Sequence, residues 1–185
     1  MEQQGLYLPE FERDNCGAGF ICNLKGEKSH QIIHNALEIL VKLEHRGAVS
    51  ADGRTGDGAG ILIDIPHKFF KRVCGFNLPE SGEYAVGMVF LPRSYNQSNY
   101  CISIFEDEIK KQDLEILGWR DVPVDTSNLG KIASKTEPKI KQVFVKKNSK
   151  QLTDIQFNAK LYAARKIAEH NIIQSNISEK MLLFT

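Results

Sequence analysis

Long apolar runs are missing from this 185-residue chain, and none approaches the length that spans a bilayer. An excess of charge is missing too. With 24 Lys and Arg against 23 Asp and Glu the formal net charge is +1, so bulk charge points to neither nucleic acid nor membrane. The first fifteen residues, MEQQGLYLPEFERDN, are acidic and lack the apolar segment of a secretory signal; a cytoplasmic protein is expected. Cysteines are few: Cys16, Cys22, Cys74 and Cys101, unevenly spaced and with no CxxC pair. That excludes a zinc knuckle or a disulfide framework as the first reading. Internal repeats, low-complexity tracts and obvious linkers are also lacking. What remains, 42% apolar and 25% charged residues, is the make-up of an ordinary globular protein. The length suits one domain with a sizeable core and is short for two.

The elements read as α/β. GAGFICNL (17–24) is a buried-strand candidate, closed by a turn at Lys25-Gly26-Glu27. Ser29 is a fair N-cap for a helix running to about Arg46, with Ile33, Ala36, Leu37, Leu40 and Val41 at amphipathic spacing. Gly47 follows where a left-handed residue would close the helix. GILIDI (60–65) reads as a strand, and Pro66 opens a short helix. EYAVGMVFL (83–91) is a strand of the buried type, followed by a long helix over 98–117. Short strands at WRDVPV (119–124) and KQVFVK (141–146) flank a polar loop. Thr153-Asp154-Ile155-Gln156 has the pattern of a capping box and opens a third long helix, with Ile155, Leu161, Tyr162 and Ile167 on its expected apolar face. KMLLFT (180–185) looks like a strand just starting. The expectation is that the chain is the N-terminal piece of something larger; a short strand completing a sheet is the alternative.

Several tempting motifs lack their complements. His30 and His34 lie four apart on a helix, a spacing that suits one metal, but no third ligand is adjacent; no metal site is expected. GDGAG (56–60) precedes a strand and lacks both the Lys-Ser/Thr of a P-loop and the third glycine of a dinucleotide fingerprint. The Lys-rich KIKQVFVKK (139–147) reads as a solvated strand face, and Trp119 as packing. Two features stand out. Cys16 sits on a mount with little bulk, Gly17-Ala18-Gly19, and EHRGAVSADGRTGDGAGI (44–61) packs five glycines and several charges between a helix and a strand. Such a loop can wrap a small polar ligand or another chain segment. Arg46 suits the negative end of a helix dipole and can offer a planar fork to a carboxylate or to carbonyls.

Together these features resemble the class II glutamine amidotransferases, N-terminal-nucleophile enzymes that release ammonia from glutamine. Within them ERDNCGAGF, LEHRGAVSADGRTGDGAGILIDIPHKFF, YAVGMVFLP and GWRDVPVDTSNLG are most similar to the N-terminal region of the glutamate synthase large-subunit family. The resemblance runs from about Glu12 to near His170. It implies a four-layer αββα sandwich of the N-terminal-nucleophile hydrolase type, only partly present here. It implies a propeptide over 1–15 and an amidotransferase domain over 16–185, incomplete at its C-terminal end.

The resemblance also implies chemistry. Cleavage after Asn15 would free the α-amine of Cys16, the catalytic nucleophile, for attack on the glutamine carboxamide and formation of a glutamyl thioester. Arg46 and Gly47 match the family's HRG and are carried over as supporting residues; Asp57 and Gly58 lie in its characteristic loop. The family's substrate-carboxylate arginine and oxyanion Asn-Gly pair sit in HxRFST- and NGEI-like motifs, which do not occur in this sequence. Losing one oxyanion donor commonly costs about a hundred- to a thousand-fold, so the chain alone is expected to be a poor or inactive glutaminase. A non-catalytic scaffold acting in assembly or regulation is the alternative. FMN and an iron–sulfur cluster are expected only in a full-length enzyme, none in this chain, because Cys22, Cys74 and Cys101 lack cluster spacing. Expected partners are glutamine, the remaining large-subunit domains and a small subunit.

Overall fold

The computed structural model describes residues 17–149, 152–175 and 182–184. Cys16 and the expected propeptide, 1–15, lie outside the described residues. Two compact units occur. The first contains the described residues up to Asp64 together with Leu129–Ile132; the second contains Ile65–Asn128 and the described residues from Ala133 onward.

The second unit is a sheet with helices. Its strands are β1 (Tyr84–Leu91), β2 (Leu114–Asp121), β3 (Lys139–Lys147) and β4 (Leu182–Phe184), in the order β2-β3-β1-β4. Every pairing is antiparallel. With α1 (His30–Lys42) in the first unit, the helices of the second are α2 (His67–Val73), α3 (Tyr95–Lys111) and α4 (Asp154–Gln174). Successive side chains on a strand point to opposite faces, and both faces are used. Val89, Leu91, Val143 and Val145 pack with Cys101, Phe105 and Ile109 of α3 and with Phe157, Ala164, Ala168 and Ile172 of α4. On the other side Tyr84 and Phe144 meet Phe70 of α2, the Phe144 ring lying edge-on to Phe70 at 5.0 Å and to Phe76 at 5.2 Å.

Several expectations need correction. The helix expected to reach residue 117 stops at Lys111, and Leu114 opens β2 instead. Asp113 takes a left-handed φ of 57° there, a conformation that ends a helix and that Asp tolerates better than most residues. The Lys-rich β3 is no solvated face, since it lies between β2 and β1 with Val143, Phe144 and Val145 buried. Three of its four lysines are neutralised by neighbours: Lys141 by Asp121 at 2.8 Å, Lys146 by Glu115 at 3.0 Å and Lys147 by Asp154 at 2.6 Å. The expected apolar face of α4 is largely outside, with Ile155 83% and Tyr162 59% exposed. Trp119 does pack, edge-on to Phe105 with its Nε1–H donated to Glu106 at 2.8 Å.

Neither 17–24 nor 60–65 is a strand. A strand persists only where its N–H and C=O groups find a ladder, and among the described residues neither segment has one. Phe20, Leu24 and Leu62 are accordingly 90%, 98% and 94% exposed. Helix α1 is also shorter than expected. A 3₁₀ turn over Glu44–Arg46 follows it, and Gly47 is extended (φ −86°, ψ 148°) rather than left-handed. Among the described residues, no helix is long and apolar enough to cross a membrane.

Candidate functional site

The glycines after Cys16 have a steric reason. A Cβ on Gly19 would lie 2.7 Å from Cγ2 of Ile39 in α1, and one on Gly17 would lie 3.2 Å from Leu43 and 3.5 Å from Cβ of Arg46. The close approach that these glycines allow is to α1 and the turn after it. The residue that follows Cys16 therefore lies close to Leu43, with Arg46 next nearest.

Arg46 closes the 3₁₀ turn, its N–H donated to the Leu43 carbonyl at 2.8 Å, while Gly47 N–H is donated to the Glu44 carbonyl at 3.0 Å. Arg46 itself is exposed. Directly beyond, a small hairpin runs from Ala48 to Asp57. Ser50 N–H reaches the Thr55 carbonyl at 2.7 Å, Asp57 N–H reaches the Ala48 carbonyl at 3.2 Å, and Val49 and Gly56 form a bridge. Asp57 adds its side chain: Oδ2 accepts Ala48 N–H at 2.8 Å. The carboxylate so anchors the residue next to Arg46-Gly47. Gly58 lies just past this closure, exposed and with nothing crowding its Cα.

The tip of the hairpin is held by Asp52, which the sequence reading passed over. Its Oδ1 accepts the N–H groups of Thr55 (2.8 Å) and Arg54 (3.1 Å), and its Oδ2 accepts the Thr55 hydroxyl (2.7 Å) and the Ile132 N–H (3.1 Å). These donors, led by the Thr55 side chain, hold the Asp52 carboxyl well below the usual carboxylate range. Gly130 is buried against the same cluster, where a Cβ would lie 2.6 Å from Thr55 N and 2.7 Å from Asp52 Oδ2. An Asp-x-x-Thr spacing is a turn signal that would have flagged the local half. The Ile132 bond spans eighty residues and has no local signature.

Other candidates separate. His34 Nδ1 lies 3.5 Å from Glu38 on the same helix face, and no group of three His, Cys, Asp or Glu comes together among the described residues. Cys22 is exposed, Cys74 half-buried and Cys101 buried in the core. Burial pushes the Cys74 and Cys101 thiols up, the reverse of what a thiolate ligand or nucleophile needs.

The chain matches known proteins. The family profile "Glutamine amidotransferases class-II" matches residues 16–185. The chain is 42% identical over 168 residues to the Glutamate synthase [NADPH] large chain of Bacillus subtilis (strain 168), covering 90% of this chain and 11% of that protein. It is 44% identical over 183 residues to the Glutamate synthase [NADH] of Saccharomyces cerevisiae, covering 92% and 8%. With the Glutamate synthase [NADPH] large chain of Azospirillum brasilense it shares 41% over 177 residues, covering 94% and 12%. The chain thus spans about a tenth of the length of these relatives.

Proposed function

The chain belongs to the class II glutamine amidotransferases, and on that premise we propose that it carries the glutamine-hydrolysing nucleophile of a glutamate synthase large chain. The observation that carries this reading is the close approach of Gly17 to Leu43 and Arg46, with Asp57 fastening Ala48 two residues on. Two separate stretches of sequence that carry the resemblance come together there, and Gly17 directly follows the residue whose thiol the chemistry requires. The family match also begins at Cys16.

In this reading residues 1–15 are removed, and Cys16 supplies both nucleophile and base. An α-amine with an ordinary pKa of about 7.7–8.0 and a thiol near 8.5 both work close to neutral pH. The amine takes the thiol proton and the sulfur bonds to the glutamine side-chain carbonyl carbon. The carbon–nitrogen bond then breaks, and the leaving nitrogen takes the proton and departs as ammonia. Water adds to the thioester carbon, the carbon–sulfur bond breaks, and glutamate leaves with the thiol restored. Arg46 and Gly47 shape the wall beside the nucleophile; Asp57 holds that wall through Ala48, with Gly58 leaving the next turn open. The same reading takes the sheet with α3 and α4 on one face as two layers of an αββα sandwich. Use of the ammonia for reductive glutamate synthesis, with FMN and an iron–sulfur cluster, belongs to the remaining domains and the small subunit.

Intact mass combined with covalent labelling tests the proposal. A glutamine-like electrophile, a γ-diazoketone amino acid, should add once, at Cys16, in chains that have lost residues 1–15, and Cys16→Ser should abolish the adduct. Full glutaminase activity with residues 1–15 attached would overturn it. A processed chain that refuses the electrophile at Cys16 would favour the non-catalytic scaffold.

A further inference from the structure

The Ala48–Asp57 hairpin is closed at both ends by carboxylates, and the two closures differ in reach. Asp57 acts locally on Ala48. Asp52 gathers four donors, three from its own turn and one from Ile132. Both oxygens are used twice, so the carboxylate is a junction between the hairpin and the segment Leu129–Ile132. Gly130 completes it, because only a residue without a Cβ lets that backbone lie against Thr55 and Asp52. From the junction the hydrogen bonds run Asp52 to Thr55, Thr55 carbonyl to Ser50 and Asp57 to Ala48, and the backbone continues through Gly47 to Arg46, whose Cβ lies 3.5 Å from where a Cβ on Gly17 would stand.

We propose that Asp52 is a positioning residue of the amidotransferase site, its carboxylate locking Leu129–Ile132 onto the hairpin and so fixing where Arg46 stands beside Gly17. The inference rests on the reading of Cys16 as the nucleophile. Asp52 touches no reacting atom; its effect reaches the chemistry only through the hairpin. Small misplacements of a site wall lower the rate of an oriented reaction far more than that of an unoriented one.

The test uses the processed chain and two electrophiles for Cys16. The glutamine-like diazoketone needs the wall in place, whereas iodoacetamide reports only thiolate and access. Asp52→Ala should slow diazoketone labelling on the order of tenfold to a hundredfold and, at a temperature well below its melting point, leave the iodoacetamide rate unchanged. Gly130→Ala, which wedges the junction apart without altering the carboxylate, should reproduce the effect. Asp52→Asn, which replaces one acceptor oxygen with an amide donor, should fall between wild type and Asp52→Ala. Amide exchange at Ile132 and Thr55 reports whether each variant has opened the junction. An opened junction with diazoketone labelling at the wild-type rate would overturn the inference, as would equal slowing by both electrophiles. If the wild-type chain itself takes no diazoketone at Cys16, the nucleophile reading fails and this inference falls with it.

Discussion

The Phe76 ring fills the space that a side chain at Gly118 would need, with ring carbons 2.5 to 2.9 Å from where its Cβ would stand. Gly118 sits in β2 at the register shift that follows Ile116, and Phe76 in turn lies edge-on to Phe144. Gly118→Ala should therefore cost about 1–3 kcal/mol by overpacking. Phe76→Leu should recover part of that loss in the double variant, although it is destabilising alone. Urea unfolding of the four proteins measures the coupling, and strictly additive losses would mean that the ring moves away freely.

The start of α4 offers a second test. Thr153 Oγ1 accepts Gln156 N–H at 3.3 Å, and Gln156 Oε1 accepts Thr153 N–H at 3.0 Å. Thr153→Ala should cost about 1 kcal/mol, and Thr153→Ser should restore most of it. Thermal melts resolve a change of that size, and an unchanged midpoint for Thr153→Ala would show that the cap is dispensable.

The capping box was legible because both of its bonds lie within four residues. The same holds for β1, whose buried apolar run needs no knowledge of its neighbours, and for α2 after Pro66. The α3–β2 junction was misread because EIL (115–117) continues an apolar helical spacing, and the reversal at Asp113 leaves no period to detect. The strand reading of 17–24 and 60–65 failed for a different reason. Those residues have strand composition, but a strand exists only with a ladder partner. At the site, Arg46, Gly47 and Asp57 could be carried over from a motif. The Asp52–Ile132 bond could not, because chain separation hides it.

The face of α4 gives a third prediction. Ala164 and Ala168 are fully buried, whereas Ile155 is mostly exposed. Two small residues on the packed side set how closely α4 approaches the core, which a hydrophobicity pattern undervalues. Ala168→Leu should cost about 1–3 kcal/mol, and Ile155→Ser should stay within about 0.5 kcal/mol of wild type. Denaturation midpoints in the reverse order would place the apolar side of α4 where the sequence alone suggested.

Contact between Gly19 and Ile39 can be tested by a double-mutant cycle. Gly19→Ala should destabilise the segment through its clash with Ile39 Cγ2. Ile39→Ala deletes that atom, so the double variant should lose less than the sum of the singles. Ile39→Val keeps Cγ2 and should give no relief. Hydrogen exchange over 17–24 and α1 follows the segment directly. Equal behaviour of the Val and Ala backgrounds would argue against the contact.

Asp52 makes a prediction about acid. Donors from Thr55, Ile132 and Arg54 favour its ionised form, so its carboxyl titrates well below the ordinary range when folded and near 3.9 when unfolded. A depressed folded value means that the folded state binds fewer protons than the unfolded state as pH falls through this window. The stabilisation is therefore complete above the unfolded value and is lost progressively below it, down through the folded value. The carboxyl ¹³C resonance of Asp52 should stay constant from neutral pH down to about 3, through the range where ordinary carboxyls titrate. Protection of the Ile132 amide should persist over the same range and collapse only below it. In Asp52→Asn the Ile132 amide should be weakly protected at every pH, with no acid step. A carboxyl midpoint near 3.9 in the folded protein would mean that the four donors do not hold the charge, and the junction would then be too weak to position Arg46.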